Sequence, residues 1–362
     1  MDIVLTPTQE MLKSSARDFL GKECPPSLVR AAEADPRGYP PELWAKIAAL
    51  GWLGLLVPEE HGGGGATLLE AVLLMEEAGR AALPGPLLPV LFSALLIQEV
   101  GSADMQHRLL PPLARGELTV SPALMEPEEA AARAEHHGAG YRLWGTKLFV
   151  PCADTAGYLI VPATAPQGDG LFLVGTSTSG LGLTPLLTTA GDHQFEVRLE
   201  GAAAEPLGGG EAVGRAVDGG TVLHCAHTVG SMQAALELSV DYTRQRSQFG
   251  RPIGSFQAVH HHLVDMYRDL QVARLLTYQA AWRWAAGLEA VREVSLARVK
   301  VSAVAPLVTS LAHQVHGGVG FYTEYPLELH YRRALAGAVA LGGAPGHRER
   351  LARYLAEMGE EH

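Results

Sequence analysis

"YTRQRSQFGRPIGSFQ", residues 242–257, stands where two of the longest helix-forming runs of the chain meet. Residues 214–248 are long enough for one extended helix, and residues 256–287 for a second. Residues 288–318 predict a third, with Pro306 as a kink point. Residues 327–342 predict a fourth. Four long helices in a row predict an up-and-down bundle.

Upstream the pattern changes. Between Thr119 and Ala212 the apolar runs are short, rich in β-branched residues and separated by turns. "YRLWGTKLFVPCA", "TAGYLIVPAT", "GLFLVGTS", "LGLTPL" and "HQFEVRLEG" read as five strands of a small antiparallel sheet or barrel. Before Thr119 the chain is helical again. Thr6 or Thr8 can cap a helix that starts near Pro7. Residues 41–50 form another helix, ended by Gly51. Residues 67–83 are apolar enough for a helix buried on most of its surface, and residues 102–118 add one that Pro111 and Pro112 break or kink. The expected fold is α+β and mainly α. It has an N-terminal helical domain over 1–118, a middle β-sheet or barrel domain over 119–212 and a C-terminal four-helix bundle over 213–362.

Composition narrows the function. With 362 residues, 47% of them hydrophobic, the chain buries enough surface to offset the entropy of folding. A net charge of −11 argues against nucleic acid as a partner, because phosphate neutralisation needs clustered Lys and Arg. Cys24, Cys152 and Cys225 are odd in number and far apart, so they read as buried thiols rather than a disulfide or zinc set. His260, His261 and His262 are consecutive; on a helix they point around it and cannot converge on a metal. The glycines after His61 lack the Lys-Ser/Thr of a phosphate loop. The first residues lack the basic and apolar regions of a signal peptide, and the most apolar stretch, 83–101, is too interrupted to span a bilayer. A cytoplasmic protein without a membrane partner is expected.

Two long motifs then carry a resemblance. Tyr242 to Gln257 resembles the Y-x-x-x-R-x-x-F-G-x-x-I-x-x-x-Q signature of the acyl-CoA dehydrogenase family. "QVHGGVGFYTEYPLELHYRRA", residues 314–334, resembles that family's Q-x-x-G-G-x-G-F-x-x-E-Y-P segment. "LPPLARGEL" and "GTKLFV" fit as well, and the resemblance spans essentially the whole chain. It implies FAD chemistry on an acyl-CoA thioester. A glutamate removes the α-proton while the β-hydride passes to the flavin.

The resemblance also implies where that glutamate should stand, and it is not there. Counted from Gln314, the position falls on Leu341, and Val339 to Pro345 contains no Asp or Glu. The alternative family position, one residue after Arg246, is Ser247, a poor base without a partnered histidine. His347 and Glu349 are the nearest titratable groups and read as the start of a terminal helix. No catalytic residue is assigned.

The implied cofactor contacts divide in two. Those a subunit makes to its own flavin are altered. Glu126 and Pro127 remain, but Ala130 to Arg133 replace Gly-Ser-Asp, and Phe149, Val150 and Pro151 replace a Trp-centred stretch. Those reaching a neighbour's FAD are kept: Arg246 for the pyrophosphate, Gln248 and Phe249 beside it, Gln257 for the ADP portion, and Gln314, Gly317 and Gly318 at the adenosine end. Thr221 stands where the family has an arginine at the substrate site.

This pattern is most similar to the shorter, base-lacking subunit of actinobacterial α2β2 acyl-CoA dehydrogenases that oxidise steroid side-chain CoA thioesters. The implied partners are a second acyl-CoA dehydrogenase subunit carrying the catalytic glutamate, an acyl-CoA substrate and an electron-transferring flavoprotein. Two alternatives stay open: a self-sufficient homo-oligomer with a displaced base, and a flavin-free scaffold subunit.

Overall fold

The computed structural model describes residues 4–127, 131–138 and 140–360. Six α-helices come first: α1 (Pro7–Glu23), α2 (Pro26–Ala34), α3 (Pro41–Ala49), α4 (Leu68–Arg80), α5 (Leu87–Val100) and α6 (Ala103–Ala114). Seven strands follow: β1 (Val120–Pro122), β2 (Arg133–His137), β3 (Gly140–Pro151), β4 (Tyr158–Ala165), β5 (Gly168–Gly175), β6 (Leu181–Leu186) and β7 (Gln194–Gly209). Next come α7 (Glu211–Gln245), a hairpin of β8 (Ser247–Gln248) and β9 (Arg251–Pro252), then α8 (Gln257–Ala285), α9 (Val291–His316), α10 (Leu327–Val339) and α11 (Pro345–Glu360). The helix–strand–helix order read from the sequence is thus present. The chain divides into two compact units: Met1–Leu28, Leu68–Leu83 and Thr221–His362 form one, and Val29–Thr67 with Pro84–Gly220 the other.

The first unit is a helical bundle. Thr6, of the two candidate threonines, caps α1: its hydroxyl accepts from the Gln9 N–H, and the Gln9 side chain accepts from the Thr6 N–H. Its core runs through Met232, Leu270, Val301, Val308 and Leu327. α9 continues through Pro306 to His316. The run Val291–Phe321 is long and apolar enough to cross a membrane by length and composition, and half of its most apolar window is buried inside the fold. Helix α4 lies in the interior as expected, and its two acids go in with it. Glu76 and Glu77 are each 1% exposed. Burial raises the Glu76 carboxyl, but Arg274, Lys13 and the Tyr278 hydroxyl outweigh burial and hold it below its ordinary value. Lys13 Nζ lies 2.9 Å from it, Arg274 donates at 3.1 Å and Tyr278 Oη at 2.6 Å. Arg17 grips Glu77 through Nε and Nη2. α4 meets α7 backbone to backbone, since a Cβ on Gly79 would lie 1.8 Å from the carbonyl oxygen of His227.

Two histidines, His330 buried and His224 partly buried, give this unit a pH dependence. Burial, with Arg298 and His227 beside it, pushes His224 down to about 3. Burial, with Arg333 and Arg80, pushes His330 down to about 4. Both are neutral when folded, whereas an unfolded histidine takes up a proton near pH 6.5. Their contribution is therefore complete above pH 6.5 and is lost as the pH falls toward the folded values. Chemical denaturation should find the chain about 4 kcal/mol less stable at pH 5 than at pH 7.5, two histidines losing about 2 kcal/mol each. A flat profile over that range would contradict the neutral assignment.

The second unit is built around the strands. β4, β2, β3, β7 and β5 pair in turn, and β5 pairs back onto β4 to close a barrel; β1 joins β4 and β6 joins β7. All five expected strands are present. β1 and β2 carry no strand signal in the sequence: one is three residues of Val-Ser-Pro, and the other, Arg-Ala-Glu-His-His, has too few apolar residues. The sheet is not wholly antiparallel, because both β1 and β2 run parallel to β4. Leu143, Val150, Leu159, Phe172 and Val197 fill the interior. Two helices, α2 and α5, add to those expected; α5 is the apolar run whose Pro86 and Pro89 fall at its N-terminal end. α6 runs through Pro111 and Pro112, which occupy its last turns and do not break it.

Candidate functional site

The seven residues expected to serve a neighbouring subunit lie at one end of the helical bundle. Arg246 follows the last residue of α7, and its N–H donates to the carbonyl of Tyr242 at 2.8 Å. Gln248 and Phe249 belong to the β8–β9 hairpin. Ser247 pairs with Pro252 and Gln248 with Arg251, which leaves Phe249 and Gly250 as a two-residue loop. Their φ values of 53° and 79° are the positive pair that a type I′ hairpin requires. Phenylalanine is a poor residue for that conformation, and holding it there costs about 1 kcal/mol. The strain presents the ring outward, 92% exposed and edge-on to Phe256 at 6.1 Å. Gln257, next after Phe256, is the first residue of α8.

The third segment is the end of α9. Gln314 lies in its last turn, and Gly317 terminates it with φ 61° and ψ −141°, a conformation open to glycine alone. A Cβ on Gly317, Gly318 or Gly250 would meet nothing within 4 Å, so backbone is open to an approaching group at all three. α7 and α9 are joined at this end by the Tyr242 ring stacked on His316, centroids 4.6 Å apart.

All seven residues are exposed. The side chains of Arg246, Gln248, Gln257 and Gln314 have no hydrogen-bond or ion-pair partner among the described residues. A guanidinium, three amides and bare glycine backbone, left unengaged together, suit a pyrophosphate and a nucleoside brought from outside the chain.

The two positions implied for a base are built differently. Leu341 sits in a 3-10 turn after α10 with φ 51° and ψ 36°, half-buried. Behind it the wholly buried Arg298 donates to the carbonyls of Gly337 and Ala340, tying down the C-terminal end of α10. Ser247 is an exposed hairpin residue. His347 is half-buried in the first turn of α11, its Nδ1 3.2 Å from the hydroxyl of Ser295, and Glu349 is exposed on the same helix. Thr221 is buried on α7, 2% exposed.

In the second unit, Glu126 keeps a structural role. Its Oε1 accepts from Lys147 Nζ and from the Ala132 N–H, and Lys147, wholly buried, also donates to the carbonyl of Pro162. Ala130 lies outside the described residues. Ala132 is buried and Arg133 stacks over Trp144. Phe149 is left-handed and 57% exposed on a bulge of β3, with Val150 turned into the barrel.

Comparison with known proteins decides the family. The acyl-CoA dehydrogenase N-terminal domain matches residues 6–117 and the acyl-CoA dehydrogenase C-terminal domain matches residues 208–356. The chain belongs to the acyl-CoA dehydrogenase family. Acyl-CoA dehydrogenase FadE27 of Mycobacterium tuberculosis is 32% identical over 99% of each chain. Among solved structures, the ChsE4-ChsE5 complex from Mycobacterium tuberculosis matches with a TM-score of 0.94 and 31% identity, covering 99% of both chains. A steroid acyl-CoA dehydrogenase, the Tcur3481-Tcur3483 G363A variant, matches with a TM-score of 0.92 and 32% identity, covering 98% of this chain and 99% of that one.

Not legible in the sequence is the scaffold behind these exposed residues. His316 and Tyr325 link the end of α9 to the segment before α10, and Arg298 ties down the C-terminal end of α10. A histidine directly before the Gly-Gly pair was the one available signal.

Proposed function

We propose that this chain is one subunit of a heteromeric, FAD-dependent acyl-CoA dehydrogenase, holding the flavin of a partner subunit that supplies the catalytic glutamate. The observation that carries the reading is a contrast. The bundle end bearing Arg246, Gln257 and Gln314 is exposed and unengaged, while the position implied for the base is the aliphatic Leu341. FAD, when bound, supplies the acceptor for the hydride leaving the β-carbon of the thioester. The residues of this chain do the holding. Arg246 offers two parallel N–H donors to a pyrophosphate. Gln248, Gln257 and Gln314 offer amides to the nucleotide, and Gly317 and Gly318 let backbone come close. The acyl-CoA is read as a steroid side-chain CoA thioester, by likeness to the steroid heteromer relatives, and the electron acceptor as an electron-transferring flavoprotein. The buried Thr221 supports leaving substrate recognition to the partner.

The competing reading, a base displaced within this chain, has a direct test. His347→Asn and Glu349→Gln should leave kcat of the mixed complex within about twofold, whereas loss of a working general base lowers kcat about 100-fold or more. His347 is engaged with Ser295 and Glu349 faces solvent, which favours the first outcome. A 100-fold loss from either substitution would assign the base to this chain and end the proposal.

A further inference from the structure

We propose that His316 is a positioning residue that couples the two arms of the flavin site, and this rests on the reading just given. His316 is 3% exposed and touches three segments at once. Its ring stacks on Tyr242 of α7, centroids 4.6 Å apart and planes 26° from parallel. Its Nδ1 lies 2.8 Å from the carbonyl oxygen of Ala312 in its own helix, and its Nε2 lies 3.0 Å from Tyr325 Oη before α10. A carbonyl only accepts, so with Nδ1 donating to Ala312 the neutral ring receives the hydroxyl proton of Tyr325 at Nε2, and the backbone carbonyl of Leu238 on α7 also lies against the ring. One neutral tautomer satisfies both contacts.

Each contact leads to a residue of the site. The carbonyl of Tyr242 accepts the Arg246 N–H at 2.8 Å, and the Arg246 carbonyl accepts the Ile253 N–H at 2.8 Å. The place of the Tyr242 ring therefore sets the place from which the Arg246 side chain departs. On the other side His316 immediately precedes Gly317, whose N–H donates to the His313 carbonyl and closes α9. One imidazole thus fixes both the origin of the guanidinium and the turn of open glycine backbone. His313, one turn earlier, braces the same end, its ring against Phe321 at 4.9 Å and Tyr331 at 4.6 Å. A packed core histidine would stabilise the bundle; a positioning histidine must in addition act through Arg246.

The test is FAD titration, by flavin fluorescence, of the complex between this chain and its partner acyl-CoA dehydrogenase. His316→Leu should weaken FAD binding about tenfold, and His316→Gln, whose amide can accept from Tyr325 and donate to Ala312, should stay within about threefold of the parent. Because His316 acts through Arg246, adding His316→Leu to Arg246→Ala should weaken binding by no more than about a further twofold. If His316→Leu does not fold, Tyr325→Phe removes a single oxygen and should weaken FAD binding about threefold. Fully additive losses in the double variant, or unchanged binding in the foldable single variants while Arg246→Ala loses FAD, would overturn the positioning role alone. Unchanged binding in Arg246→Ala would overturn the flavin reading and this inference with it.

Discussion

Arg246→Ala is expected to weaken FAD binding by the mixed complex about 100-fold, the loss that follows when a charge-assisted, two-pronged contact to a phosphate is removed. The isolated chain should hardly notice. The Arg246 side chain has no hydrogen-bond or ion-pair partner among the described residues, so melting of the variant should shift by no more than the equivalent of about 0.5 kcal/mol. Arg246→Lys should recover only part of the affinity, because a single ammonium cannot reproduce the planar fork. Affinity and stability are thereby separated. A variant that loses flavin while keeping its fold points to a ligand contact, and one that loses both points to a structural role.

The largest expected loss of stability lies elsewhere, at Glu76. Its carboxylate is 1% exposed and holds together α1, α4 and α8 through Lys13, Arg274 and Tyr278. Glu76→Ala strands two cations and a phenol in the interior. Breaking a buried ion pair from one side destabilises by about 3 to 5 kcal/mol, which urea denaturation of the isolated chain would read. Glu76→Gln keeps the shape and some hydrogen bonds but not the charge, and should fall between. The carboxyl is held below its ordinary value, so its contribution is present above the unfolded pKa and fades as the pH falls through the folded one. Equal stability of parent and Glu76→Ala chains at pH 7.5 would contradict the network.

Much of this architecture was legible because it is written in contiguous runs. The four long helices announce themselves by length, and Thr6 with Gln9 spells a capping box. The hairpin between α7 and α8 carries Arg246, Gln248 and Phe249 within a few residues, so a linear motif could point to it. What was not legible depends on residues far apart in the chain. Nothing in α4 says that Glu76 will meet Lys13 and Arg274, and an acid in an apolar helix reads as an exposed face. The Tyr242–His316 stack joins two helix ends with no local signal. β2 is a strand by pairing with β3, not by its own composition. Pro111 and Pro112 do not break α6, because a proline pair in the last turns of a helix is tolerated where the chain is about to leave it anyway.

One measurement bears most directly on the central claim: the flavin absorbance and acyl-CoA dehydrogenation of this chain purified alone, beside those of the chain purified with a glutamate-bearing acyl-CoA dehydrogenase partner. A colourless, inactive chain is expected alone, and a yellow, active complex whose flavin is lost on Arg246→Ala. Flavin and turnover in the isolated chain would contradict it.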